Sequence, residues 1–116
     1  MPATFGCSVP TRGPMSNPDS LRSLAQRAED LGFDSIWVSD HIILPRQVDS
    51  FYPYAADGVP TFKPDESYYE PLAALNFLAG CTQRIRLGTH VLILPYRNPV
   101  LTAKILSTLD VLSGGR

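Results

Sequence analysis

The sequence predicts an α/β fold in which parallel strands alternate with helices, a βα repeat of about three units. Two observations indicate it. Short apolar runs with strand character alternate with stripes of apolar residues at helical spacing, and Asn-Pro pairs and glycines stand where helices would begin and end. Strands joined through helices in one sheet run parallel with right-handed crossovers. The 116 residues are enough for one such domain.

The first unit pairs a strand over residues 4–9 with a helix that begins at Pro18. Asn17 supplies an N-cap side chain, and proline is favoured at the first helical position. Gly32 ends the helix, because a left-handed residue is wanted there. The apolar stripe of this helix consists of Leu21, Leu24, Ala25, Ala28 and Leu31.

The pattern recurs twice more. Residues 33–38 are the second predicted strand and residues 71–79 the second helix. Residues 85–94 are the third strand, and apolar residues at both parities predict that both of its faces are covered. Asn98 and Pro99 repeat the helix-start chemistry, and a glycine pair ends the third helix.

A parallel sheet gathers its strand-to-helix loops at one edge, where ligands bind in open α/β sheets and in eightfold barrels. The carboxyl ends of the strands are therefore where function is expected. We expect Arg12 and Arg97 to be surface or loop-anchoring charges and not substrate clamps. The loops at this edge contain Thr11 and Arg12, then Asp40 and His41, then Pro95, Tyr96, Arg97 and Asn98.

The segment 42–70 is unusually long for a loop, with 29 residues that include six of the eleven aromatics and four of the eleven prolines. Loops beyond about 12–15 residues are usually functional or disordered. The aromatic content favours a lid over a planar or apolar ligand. The alternative is that the loop packs over the sheet edge and touches no ligand.

Composition excludes several classes of function. The net charge of −1, with no block of like charges, predicts neither a nucleic-acid nor a membrane partner. No apolar run approaches the roughly 18 residues of a membrane span, and the first residues lack a signal-peptide pattern, so a cytoplasmic location is expected. Cys7 and Cys81 lack metal or disulfide spacing and are expected to be packing residues.

Several common catalytic and binding motifs are absent from the sequence. The loop after the first strand has no GxGxxG, which disfavours a dinucleotide-binding domain, and no GxxxxGK[ST], HExxH or GxSxG occurs. His41 and His90 are too few and too far apart to predict a metal centre. An aldolase or metal-dependent hydrolase barrel is disfavoured, since lysines are missing from the strand ends and the metal ligands there are too few.

Four segments occur in order along the chain: LGFDSIWVSDH (31–41), RIRLGTHV (84–91), YRNP (96–99) and LDVLSGGR (109–116). Together they resemble the amino-terminal part of the luciferase-like monooxygenases. The form Ser-Asp-His followed by a long aromatic insertion is closer to the branch that uses the deazaflavin F420 than to the luciferases proper.

The resemblance implies the amino-terminal portion of a (β/α)8 TIM barrel that binds reduced FMN or F420, together with a small organic substrate, at the carboxyl edge. It implies that Asp40 and His41 are catalytic and lie beside the flavin ring. With Thr89, His90 and Val91 they would also bind the cofactor. A histidine suits proton transfer near neutral pH. The bond after His90 is expected to be cis.

The length departs from this family, since such a barrel needs about 250 residues. We therefore expect 1–116 to be a partial luciferase-like TIM-barrel domain with a long loop at 42–70. Whether it is an enzyme by itself stays open at this point. The alternative is a non-catalytic barrel fragment that associates with another chain, a homo-oligomer included, because unpaired strand edges and exposed apolar helix faces favour association.

Overall fold

The computed structural model describes residues 2–63 and 65–116. Within them, three parallel strands form one sheet in the order β1-β2-β3, and a helix follows each strand. The predicted parallel βα repeat is therefore confirmed. The elements are β1 (Gly6–Ser8), α1 (Pro18–Asp30), β2 (Ser35–Val38), α2 (Pro71–Cys81), β3 (Arg86–Thr89), a short 3-10 helix (Leu94–Tyr96) and α3 (Pro99–Ser113).

Each α-helix begins with a capping side chain followed by proline. Asn17 accepts a hydrogen bond from the Ser20 amide at 2.9 Å, and Asn98 does the same for Leu101 at 3.0 Å, as predicted. The cap of α2, Glu70, was not among the predicted caps. The glycine at the end of α3, Gly114, has a φ of 72°, which satisfies the left-handed geometry that such an end requires.

The strands are shorter than the sequence predicts. The third was expected over 85–94, yet β3 ends at Thr89 because the peptide N–H of His90 makes the last bond to β2, to the carbonyl of Val38 at 3.1 Å. The chain then turns away into the 3-10 helix. No cis peptide bond occurs among the described residues, so the expected cis bond after His90 is wrong; the turn is made with trans bonds.

One face of the sheet packs against α1 and α2, and the other is open. Ile36 and Val38 point into the helix-covered core. On the open face the indole of Trp37 lies across the sheet, with Gly6 of β1 and Gly88 of β3 beneath it. The expectation that both faces of the third strand are covered is therefore wrong, since among the described residues only the helix-side face is.

Two charged side chains, Glu29 and Arg116, each form hydrogen bonds with main-chain groups at the amino edge of the sheet. Glu29 of α1 accepts hydrogen bonds from the peptide amides of residues 83–85, just before β3. Burial tends to raise the pKa of Glu29, but these amides and the charge of Arg84 lower it overall. Arg116 donates to the carbonyl oxygens of Ala79 at 3.0 Å and Ile85 at 3.1 Å. A cavity of about 550 Å³ opens at this edge, at the opposite end from the predicted site.

Among the described residues, no helix combines the length and the apolar character that a membrane span requires.

Candidate functional site

The carboxyl edge brings most of the predicted site residues together, but in three separate clusters. The first is a buried ion pair around Asp40. The second joins His41 to the aromatic loop 42–70. The third links His90 to Ser8 on the open face of the sheet.

Asp40 follows β2, and its side chain is completely buried, at 0% exposure. Its Oδ2 accepts from the guanidinium of Arg97 at 2.8 Å and from the peptide amide of Ile93 at 2.8 Å. The same guanidinium donates to Glu70 at 2.6 Å. Arg97 thus connects the end of β2 with the start of α2, and the prediction that it anchors a loop is in line with these contacts.

Two polar atoms of this ion pair, Asp40 Oδ1 and Arg97 Nε, are buried without a hydrogen-bond partner in the described part of the chain. Burial works to lower the pKa of Arg97, but its hydrogen bonds to Asp40 and Glu70 and their charges raise it overall. The guanidinium is therefore permanently charged, and the two free atoms form a donor and an acceptor that a bound group or a water could satisfy.

His41 is exposed and lies among the rings of the loop 42–70. Its ring centroid is 5.1 Å from that of Tyr68 and 6.0 Å from that of Phe62. Beneath them, the Tyr68 hydroxyl forms a short hydrogen bond with Ser39. Ser39 lies 3.3 Å from the hydroxyl of buried Thr11. The imidazole is thus accessible on one side and backed by aromatic surface on the other.

The loop 42–70 folds back over the edge beside His41. Its main chain bonds to the first loop, where the Tyr69 amide donates to the carbonyl of Thr11 at 2.9 Å. Arg12 forms an ion pair with Glu66 at 3.2 Å. These contacts hold the loop 42–70 against the loop that follows β1.

His90 makes a contact that sequence reasoning missed. Its Nε2 lies 2.8 Å from the hydroxyl oxygen of Ser8, at the end of β1. In the sheet register, Ser8 pairs with Trp37, and Trp37 pairs with Gly88. Because side chains alternate between the two faces of a strand, His90, two residues after Gly88, lies on the same open face. Residue parity along the strands could have found this pair, once the strand order was known.

The other two predicted residues lie differently. Thr89 is level with Val38 of β2 and is half-buried on the helix side of the sheet, whereas Val91 is exposed beyond the end of β3. The exposed polar groups of the edge include the imidazoles of His41 and His90, the hydroxyls of Ser8 and Tyr96, and the partly exposed carboxylate of Glu70. In the residues that the structure describes, no group of three metal-ligating side chains occurs. This donor set suits a planar organic cofactor with a few polar contacts.

Comparison with known proteins gives a family match over the whole described length. A family model for the luciferase-like monooxygenases matches residues 2–116. The chain is 35% identical over 100 residues to an F420-dependent glucose-6-phosphate dehydrogenase of Amycolatopsis mediterranei, a match that covers 85% of this chain and 25% of the relative. It is 38% identical over 100 residues to a phthiodiolone/phenolphthiodiolone dimycocerosates ketoreductase of Mycobacterium bovis, covering 82% and 26% respectively.

Among solved structures, the coenzyme F420 dependent tetrahydromethanopterin reductase of Methanopyrus kandleri matches with a TM-score of 0.66 and 28% identity. The match covers 97% of this chain and 25% of that one. Because that enzyme is a TIM barrel, the predicted fold class is confirmed. The chain spans about a quarter of the length of these relatives.

Proposed function

The chain belongs to the luciferase-like monooxygenase family, and on that premise we propose that it forms the cofactor-binding edge of an F420-dependent oxidoreductase that acts on a small organic substrate. One observation carries the proposal. The carboxyl edge presents His41 and His90, both exposed, beside an aromatic loop and an open sheet face, and relatives named as F420-dependent match this region.

Each predicted site residue has a proposed role. His41 would exchange a proton with the substrate, because its imidazole is accessible and backed by Tyr68. His90 and Val91 would contact the cofactor ring from the end of β3, and Thr89 would support that segment from the helix side. Asp40 holds Arg97 through Oδ2. Its buried, unpartnered Oδ1 would accept a hydrogen bond from the cofactor.

A bound deazaflavin would supply a reversible hydride acceptor. The chain itself would position the ring, exclude water with the aromatic residues of the loop 42–70, and move protons at His41. Reduced FMN is the alternative cofactor. It would use the same edge with oxygen as a further reactant, and the titration below separates the two.

Titration of the purified chain with F420 and, separately, with FMN tests the proposal, with cofactor fluorescence as the readout. We expect saturable binding of F420 and weaker binding of FMN. The variant His41→Ala should weaken F420 binding. The control Arg84→Ala, at the amino edge, should leave it unchanged. If neither cofactor binds, or if both variants bind equally well, this assignment is wrong.

We propose that 1–116 form a single partial barrel domain and that the protein acts in the cytoplasm without a nucleic-acid or membrane partner. Cell fractionation with an antibody against the chain tests the location: recovery with the membrane pellet or from the culture medium contradicts it.

A second candidate function, association with a second copy of the chain, is favoured by the surface of α3. Val100, Leu101, Val111 and Leu112 are all exposed there, and exposed apolar patches mark interaction surfaces. If association is the function, sedimentation should show a discrete dimer, and the cofactor titration should show no binding.

A further inference from the structure

We propose that Ser8 is a positioning residue that fixes the ring of His90, so that His90 exchanges protons through Nδ1 alone at the carboxyl edge. The proposal rests on the proposed function for its biological use. It rests on the hydrogen bonds of the open sheet face for its geometry. It adds a second proton-exchanging imidazole to the one expected at His41.

The contact spans the whole sheet. Ser8 ends β1 and His90 follows β3, and the two strands are separated by β2. The 2.8 Å distance between Ser8 Oγ and His90 Nε2 is within the range of a hydrogen bond. The imidazole therefore reaches diagonally across the end of β2, and its other nitrogen is not engaged by this contact.

We assign the direction of the hydrogen bond from the second contact of the serine hydroxyl. A serine hydroxyl carries one proton. Ser8 Oγ also lies 3.5 Å from the carbonyl oxygen of Trp37, which can only accept. If the hydroxyl donates to that carbonyl, it must accept from His90, so Nε2 carries a proton and the neutral ring has its lone pair on Nδ1.

This arrangement holds in both protonation states of the ring. The neutral ring and the imidazolium both carry a proton on Nε2, so the bond to Ser8 persists when a proton enters or leaves at Nδ1. No ring flip or change of partner is needed during proton exchange. Among the ion pairs of the described residues, none involves His90, so no paired carboxylate competes for its proton.

Nitrogen-15 NMR of the intact chain tests the proposal, because the sequence has only two histidines and both can be assigned. Spectra would be recorded above about pH 8.5, where a histidine is normally neutral. We expect His90 to show one tautomer, with the proton on Nε2, and to exchange this proton with water slowly. Exposed His41, which has no such serine contact, is the internal reference.

Two variants isolate the hydroxyl. Ser8→Ala should convert His90 to a mixture of tautomers with fast proton exchange and leave His41 unchanged. Ser8→Thr, which keeps a hydroxyl, should restore the single tautomer. A His90 spectrum that is the same in the parent chain and in Ser8→Ala would overturn the proposal, as would a proton found on Nδ1. Backbone amide spectra check that each variant is folded.

Addition of F420 separates this proposal from the proposed function. If F420 binds, we expect the Nδ1 resonance of His90 to shift more than the Nε2 resonance; a bound state in which only Nε2 shifts refutes exchange through Nδ1. If F420 does not bind while the tautomer behaves as expected, the cofactor assignment fails and the role of Ser8 stands.

Discussion

Replacement of Arg97 by methionine should be among the most damaging single changes at the carboxyl edge. The variant keeps much of the length of the side chain but leaves the completely buried carboxyl group of Asp40 without its cationic partner. Removal of one partner of a buried ion pair costs about 3–5 kcal/mol. Domains are stabilised by about 0.05–0.15 kcal/mol per residue, so this loss is a large fraction of the total.

Urea unfolding followed by circular dichroism measures the loss directly. The matched control is Arg12→Met, which removes the Arg12–Glu66 ion pair. That pair has side chains 39% and 20% exposed, and exposed pairs contribute about 0–1 kcal/mol. We expect a clear lowering of the urea midpoint for Arg97→Met and little change for Arg12→Met. Equal, small effects would refute the reasoning from burial.

A double variant sharpens the test. Asp40→Leu combined with Arg97→Met removes both charges, and well-packed apolar replacements of buried pairs are often neutral or stabilising. The double variant should therefore be more stable than Arg97→Met alone. If it is less stable, the cost lies in lost packing or in the bond to the Ile93 amide, and the unpaired charge is not the cause.

Three further changes test other parts of the fold. Because the folded-state pKa of Glu29 is lowered, its stabilisation is present above the unfolded value and is lost as pH falls through the folded value; urea midpoints should drop more between pH 7 and pH 3 for the parent chain than for Glu29→Gln. Gly88→Val should cost about 1–3 kcal/mol, since a Cβ there lies 2.6 Å from the Trp37 ring, and unchanged fluorescence of this single tryptophan would contradict the contact. Arg116→Met removes charged hydrogen bonds worth about 1.5–3 kcal/mol, and a melting temperature equal to that of the parent chain would show that these hydrogen bonds do not stabilise the fold.

The helices could be predicted from sequence because their signals are local. A capping asparagine, a proline at the first helical position and a left-handed glycine act within a few residues, and both predicted caps, Asn17 and Asn98, are in place. The strand ends could not be predicted as well. A strand extends only as far as its neighbour pairs with it, and β3 ends where β2 does.

The site was predictable as a location and less so in its contacts. The carboxyl edge followed from the parallel topology, but the partner of Asp40 is set by tertiary packing: nothing within a few residues of Asp40 indicates that Arg97 will reach it. The pairing of Ser8 with His90 likewise depends on the strand order, which places residues 82 positions apart within hydrogen-bond distance. Such choices need the register of the sheet.

The guanidinium of Arg97 has one more consequence, because Asp40 and Glu70 stand at the two ends of the segment 42–70. A single cation thus connects the two ends of this long loop. Doubling the length of a flexible loop adds only about 0.6 kcal/mol to its closure cost. Shortened or exchanged versions of the loop should therefore leave the carboxyl edge of the sheet intact, provided that Asp40, Glu70 and Arg97 are kept.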